Sequence, residues 1–265
     1  MDTLRISTFG RSGPHQAALS NGYYVSENLQ VDLDVTQASK AQMQQLKDGT
    51  WDLVHTNADN VFWWNEDNGA DFLIVLALPG KPNQSFVVRP EIATYEDLRG
   101  KAIAVDAALS GYVTPLRVLL RQAGLAEEGP DYHFIEVGAT QQRIDAMKDG
   151  RAYGAMVGVG QDTPLVADGF RILDSINRLY TNYAGSAAAR RDWIQAKPDL
   201  LQRYLRAHLK GVQAGGRTEP LPAFGWDGLR AMMETRHEVG LLRGTVDPHR
   251  FADDSLYLRA LDTLG

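Results

Sequence analysis

Short apolar runs alternate with longer segments of helical periodicity along most of this chain. Leu4-Arg5-Ile6-Ser7-Thr8-Phe9 alternates apolar and polar positions, as a half-buried strand does, and residues 10–14 form a cluster of turn formers. A helix is expected over 16–21, ended by Gly22, and Val31-Asp32-Leu33-Asp34-Val35 reads as a half-exposed strand. Residues 40–47 are read as helical, with Gly49 as the stop, and 53–56 as a short strand followed by the polar loop Asn57-Ala58-Asp59-Asn60. Phe62, Trp63 and Trp64 fall on the helix after that loop, and 72–78 is a buried strand.

A second series of strands is expected over 85–89, 102–105, 134–137, 153–157 and 170–173. The chain is then read as mostly helical. Leu200, Leu201, Tyr204, Leu205, His208, Leu209 and Val212 make one apolar stripe, Gly215-Gly216 and Pro220-Leu221-Pro222 interrupt, and Asp247-Pro248 reads as the cap of a last helix. Strands alternating with helices argue for parallel α/β sheets. The best candidate for a boundary is Pro79-Gly80-Lys81-Pro82-Asn83, with a return crossing near 175–183.

Composition narrows the picture by exclusion. The 265 residues permit one large domain or two lobes, and 44% apolar with 23% charged residues is ordinary for a globular protein. A net charge of -6 without a basic block argues against nucleic acid and anionic membrane as partners. The absence of cysteine removes disulfides, thiol catalysis and thiolate metal sites. No apolar run approaches the ~20 residues of a membrane span, so no membrane insertion is expected. Met1-Asp2-Thr3 leads directly into a strand with no signal peptide; as written the chain reads as cytoplasmic, or as periplasmic if an export signal has been replaced by the start methionine.

The most informative stretch is Leu98-Arg99-Gly100-Lys101-Ala102-Ile103-Ala104-Val105, a buried strand, followed by the small-residue loop Asp106 to Gly111 and a helix marked by Val113, Leu116, Leu119, Leu120 and Ala123. Thr114 as cap with Pro115 at the first helical position fits that helix best. A small-residue loop at a helix N-terminus offers free backbone N–H groups to an anion. This unit, with the helix ending Arg121-Gln122-Ala123-Gly124-Leu125, resembles the second-lobe entry of periplasmic substrate-binding proteins for alkanesulfonates, nitrate and thiamine precursors. Lys47-Asp48-Gly49-Thr50-Trp51-Asp52-Leu53 and its repeat Asp149-Gly150-Arg151-Ala152-Tyr153-Gly154-Ala155 resemble the same family, as do 17–31 and 190–209, so the likeness runs in order over about 4–212. The resemblance implies a two-lobed type II periplasmic-binding-protein fold, α/β, with mixed sheets and a ligand cleft between lobes. The expected first lobe is discontinuous, 1–80 and 181–265, and the second is 81–180.

In open α/β sheets ligands sit at the carboxyl ends of strands. The loops so placed supply the candidate contacts Phe9, Gly10, Arg11, Ser12, Asn57, Asp59, Leu78, Asp106, Ser110, Gly111, Tyr112, Thr114, Gly158 and Gln161, with Tyr183 near the return crossing. Arg11 suits bidentate pairing with a carboxylate or sulfonate, or is an ordinary surface arginine. Ser110, Gly111 and Thr114 are expected to hold the anion's charged end, against Phe9, Tyr112 or Tyr183 for its body. His15, His55, Asn57 and Asp59 form a catalytic cluster if the fold unites them, with His55 and Asp59 suited to acid–base work; otherwise His55 is a hydrogen-bonded strand residue and Asp59 a helix cap. Trp63-Trp64 reads as core packing or as an aromatic stacking surface. The six histidines show no HxxxH or HxH spacing, so neither metal nor cofactor is expected.

Two functions remain open at this level. One is binding of a small organic anion as the solute-binding component of an ABC-type uptake system, with an ABC permease as partner if the protein is exported. The alternative is a cofactor-independent cytoplasmic enzyme of decarboxylase, hydro-lyase or hydrolase type on the same fold. The cysteine-dependent enzymes of that architecture are excluded by composition.

Overall fold

The computed structural model describes residues 1–82, 84–126, 128–158, 160–180, 182–215 and 221–264. Asn83 of the expected boundary, Val159 of the cleft loop, Thr181 at the expected return of the chain, and Gly216 and Pro220 among the breakers lie outside the described residues.

Ten strands form two five-stranded sheets. The first contains β1 (Asp2–Thr8), β2 (Leu29–Val35), β3 (Leu53–Asn57) and β4 (Phe72–Gly80); the second contains β5 (Gln84–Val88), β6 (Lys101–Val105), β7 (Tyr132–Glu136), β8 (Gly154–Gly158) and β9 (Arg171–Ser175). β10 (Tyr183–Arg190) then returns to the first sheet. The orders are β2-β1-β3-β10-β4 and β7-β6-β8-β5-β9. In each sheet the first three strands run parallel, and the strand that crosses from the other half enters antiparallel beside the third. The two halves therefore share one topology, and their parallel strands end toward a common cleft.

The helices are α1 (Gly13–Ser20), α2 (Tyr23–Ser26), α3 (Ser39–Lys47), α4 (Ala58–Asp67), α5 (Val113–Gln122), α6 (Thr140–Lys148), α7 (Asp162–Ala167), α8 (Arg191–Ala196), α9 (Pro198–Ala214), α10 (Trp226–Glu238) and α11 (Ser255–Asp262). Strand alternation separates two cores on the second sheet. Phe86, Ile103 and Met156 face α5 with Leu116, Leu119 and Leu120, while Val87, Ala104, Ala155 and Val157 face α6 with Ile144 and Met147. The first sheet packs into one larger core with the stripe of α9, which is buried at all seven expected positions.

Four expectations change. β10 is a strand where helix was read: Tyr-Ala-Gly-Ser-Ala-Ala-Ala-Arg has weak strand propensity, but its small side chains fit between β3 and β4 with Ala184, Ala187, Ala188 and Ala189 fully buried. No polar loop separates β3 from α4. Asn57 ends the strand and its side chain accepts from the Asp59 N–H, so Asp59 and Asn60 lie in the first helical turn. Helix α5 starts at Val113, with Tyr112 rather than Thr114 at the cap; Pro115 is tolerated because N–H groups of a first turn have no intrahelical acceptor. Asp247 caps only the short turn Pro248–Arg250, and the last helix follows Asp254.

Candidate functional site

The strand ends of both sheets line a cleft of about 680 Å³. The first half supplies the ends of β1 and β3, with Phe9, Ser12, His55, Asn57 and Asn60. The second supplies Asp106, Ser110, Gly111 and Tyr112 after β6, Thr140 and Arg143 after β7, and Gln161 after β8. Leu78, Tyr183 and Gln84 line it where the chain passes between sheets. Of the expected contacts, Phe9, Ser12, Asn57, Leu78, Asp106, Ser110, Gly111, Tyr112, Gln161 and Tyr183 line the cleft; Gly10, Arg11, Asp59, Thr114 and Gly158 do not. Arg11 is exposed outside it.

In the Ser110 loop the Ser110 and Thr114 hydroxyls and the Gly111 N–H are already engaged. The Ser110 hydroxyl donates to Asp106, whose other oxygen accepts from Ser39 at 2.5 Å. The Gly111 N–H donates to Asn60 Oδ1 at 2.9 Å, and Thr114 donates to Asp59 at 2.7 Å. The bonds from Ser39 to Asp106, from Gly111 to Asn60 and from Thr114 to Asp59 join the two halves. Gly111 approaches so closely that a Cβ there would overlap the Asn57 side chain. Behind this seam, Asp59 also accepts from Arg236 at 2.9 Å, both side chains being almost fully buried. Burial pushes the Asp59 carboxyl above its ordinary value, while the Arg236 guanidinium and the Thr114 hydroxyl pull it back.

Two cations line the cleft: Lys81, which is exposed, and Arg143, on the first turn of α6, which is buried. Arg143 is 7% exposed, its Nη2 donates to Thr140 at 2.7 Å, and its Nε has no partner. Burial lowers its pKa, and Asp106 nearby opposes that shift. Sequence reasoning passed over Arg143 because it named the loops after β1, β3, β4, β6 and β8 and left out those after β2 and β7, which also line the cleft. The strand-end rule, applied to every strand, would have reached Ala139, Thr140, Gln141 and Arg143. Beside these groups Asn57 donates to the Tyr183 hydroxyl at 2.6 Å, and Tyr112 also lines the cleft. Burial raises the pKa of both phenols and keeps them protonated.

His55 and Asp59 are not brought together. His55 bonds the Tyr204 hydroxyl at 2.6 Å, and Asp59 points into the seam. His55 instead meets His15 and His208, with ring centroids 4.6 and 5.0 Å away. Trp63 and Trp64 are buried in the first core and do not line the cleft.

Two α/β sheets of like topology, facing each other across a cleft at their strand ends, define the type II periplasmic-binding-protein architecture. The pattern of the family described as NMT1/THI5 like matches residues 12–215, and the chain belongs to that family. Among solved structures, a protein of Bordetella bronchiseptica RB50 matches with TM-score 0.80 at 17% identity, over 100% of this chain and 98% of that one. The periplasmic nitrate-binding protein NrtA from Synechocystis PCC 6803 gives 0.77 at 12%, over 99% and 89%. The alkanesulfonate-binding protein SsuA from Xanthomonas axonopodis pv. citri, bound to MOPS, gives 0.69 at 19%, over 98% and 83%. The sequence finds no match among curated proteins. Among the described residues, no helix is long and apolar enough to cross a membrane.

Proposed function

We propose that the protein reversibly binds a small organic anion in this cleft, as the solute-binding component of an ABC-type import system. The observation that carries the reading is Arg143, a buried guanidinium that faces the cleft with an unpartnered Nε and no salt-bridge partner among the described residues. A desolvated cation in that position is completed by a ligand carboxylate or sulfonate through charge-assisted hydrogen bonds. The nitrate- and alkanesulfonate-binding structures of the same fold support the anionic class.

The charged end is assigned to Arg143 and Thr140 rather than to the Ser110 loop, where the Ser110 and Thr114 hydroxyls and the Gly111 N–H already have acceptors. Phe9, Tyr112 and Tyr183 offer surface for the body of the ligand, and Asn57, Ser12 and Gln161 offer polar contacts. Hinge closure around the ligand and transfer to an ABC permease follow if the protein is exported.

The test is native mass spectrometry of the copurified ligand, followed by calorimetry with short alkanesulfonates and carboxylates. Arg143→Ala should weaken the preferred anion by at least about thirtyfold, roughly 2 kcal/mol. An unchanged affinity, or a preferred ligand that is cationic, overturns the proposal.

A further inference from the structure

Three histidines distant in sequence converge in the first half of the molecule. His15 comes from α1, His55 from β3 and His208 from α9. Each offers one ring nitrogen such that the three nitrogens lie within 4.8 Å of one another. The ring centroids are 4.6 Å (His15–His55), 4.7 Å (His15–His208) and 5.0 Å (His55–His208) apart. Three imidazoles holding one ion tetrahedrally at about 2.0–2.1 Å have ring centres roughly 5 Å apart.

Among the described residues, hydrogen bonds engage one nitrogen of each ring, Nδ1 of His15 and His208 and Nε2 of His55. Tyr24 bonds Nδ1 of His15 at 2.8 Å and approaches Nδ1 of His208 at 3.4 Å; Tyr204 bonds Nε2 of His55 at 2.6 Å and approaches the same His208 nitrogen at 3.4 Å. Among the described residues, no hydrogen bond joins any two of the three imidazoles. Nε2 of His15 is buried with no partner among the described residues, an unfavourable state for a polar atom in a site without a ligand. His55 and His208 line the cleft, so the cluster has an entry path and an open side.

We infer that His15, His55 and His208 form a binding site for a divalent first-row transition-metal ion of the zinc class, with its open coordination position toward the cleft. Three neutral nitrogens and no carboxylate or thiolate select zinc, cobalt, nickel or copper over magnesium and calcium. Tyr24 and Tyr204 act behind the ligands, fixing ring orientation as outer partners of metal-bound histidines do. Burial keeps the imidazoles neutral, as ligation requires, His15 being pushed down to about 4. The absence of an HxxxH or HxH spacing conceals the site, because the ligands come from three separate elements.

The experiment uses untagged full-length protein, stripped with chelator and titrated with zinc chloride alone and with cobalt chloride alone. Wild type should bind one equivalent of zinc with micromolar or tighter affinity, show the visible absorption of low-coordinate cobalt, and ignore magnesium. His208→Gln should weaken zinc by at least about a hundredfold, and Tyr204→Phe by about tenfold or more. The exposed-histidine variants His237→Gln and His249→Gln should bind as wild type does. A wild-type protein that stays metal-free at submillimolar zinc overturns the inference. So does a zinc affinity lost equally in the exposed-histidine variants. Because wild type carries the first readout, the inference is tested even if a core variant does not fold, and metal binding is read without any organic anion present.

Discussion

The two buried arginines among the described residues make opposite use of the same cost. Arg236, on α10 in the half built around the first sheet, is fully buried and bonded to Asp59. Arg143, on α6 in the half built around the second, is almost as buried, yet it reaches a hydroxyl and no carboxylate within bonding distance among the described residues. Removing a guanidinium from water costs several kcal/mol, and a close opposite charge offsets much of it. Arg236 has that offset inside the protein and so belongs to the architecture. Arg143 has only the Asp106 charge nearby, with no carboxylate bonded to it, and it lines the cleft, so under the proposed function the remaining offset comes from the ligand. Burial with an unpartnered nitrogen does not by itself mark a binding residue, since Nε and Nη2 of Arg236 are unpartnered too; the lack of a bonded carboxylate at a position lining the cleft does.

The largest expected effect breaks the paired member. Asp59→Ala leaves Arg236 buried and alone, and removes the acceptor that holds Thr114 across the seam. Stability to urea should fall by about 3–5 kcal/mol. The double variant Asp59→Leu with Arg236→Met should recover most of that loss, since an apolar pair of similar volume replaces the ions. Arg143→Ala should leave the urea midpoint close to wild type while abolishing tight anion binding. Equal destabilisation by Asp59→Ala and Arg143→Ala would erase the distinction between the two arginines.

The comparison also explains what was legible beforehand. The strands of the second sheet were readable because β5, β6 and β8 are apolar runs bounded by turn residues. Their counterpart in the first sheet, β10, was not, because alanine and glycine carry little strand signal and the sheet context decides. Most expected cleft residues line the cleft, since strand ends follow from topology. The role of Asp59 was not legible, because its partner Arg236 is 177 positions away. The meeting of His15 with His55 was among the expectations, whereas the addition of His208 was hidden for the same reason. Sequence periodicity reports the face on which a side chain lies, whereas pairing across the fold needs coordinates.

A smaller effect sharpens the role of the seam. Gly111 sits where the second half touches Asn57 of the first, and a Cβ there overlaps that side chain. Gly111→Ala should cost about 1–3 kcal/mol, because Asn57 must leave its cap on α4 and its bond to Tyr183 or the halves must separate. Gly185→Ala is the control. It also lies beside the cleft, but its nearest neighbour is at ordinary contact distance, 3.9 Å. Thermal melts of the two variants should differ by several degrees; coincident melts would show that the seam yields freely at Gly111.

The smallest effect concerns the exposed bridge between the halves. Lys40 on α3 reaches Glu136 at the end of β7 at 2.6 Å, and Glu136 also accepts from the Ala108 N–H at 2.8 Å. Lys40 is 52% exposed and Glu136 40%, so water competes with this pair as it cannot with Asp59 and Arg236. Exposed pairs of this kind contribute about 0.2–1 kcal/mol, and salt screens them. Lys40→Met should therefore lower stability by less than about 1 kcal/mol, and the difference from wild type should shrink further in molar salt. Its effect on binding should run the other way. The pair links the two halves at the surface, outside the residues that line the cleft, and each link removed makes opening easier, so ligand dissociation should quicken while the contacts at Arg143 stay intact. Stopped-flow dissociation of the identified anion reads this directly. A dissociation rate equal to wild type at low salt would mean that Lys40 and Glu136 do not hold the two halves together, and that the buried seam at Asp59, Thr114 and Gly111 does so alone.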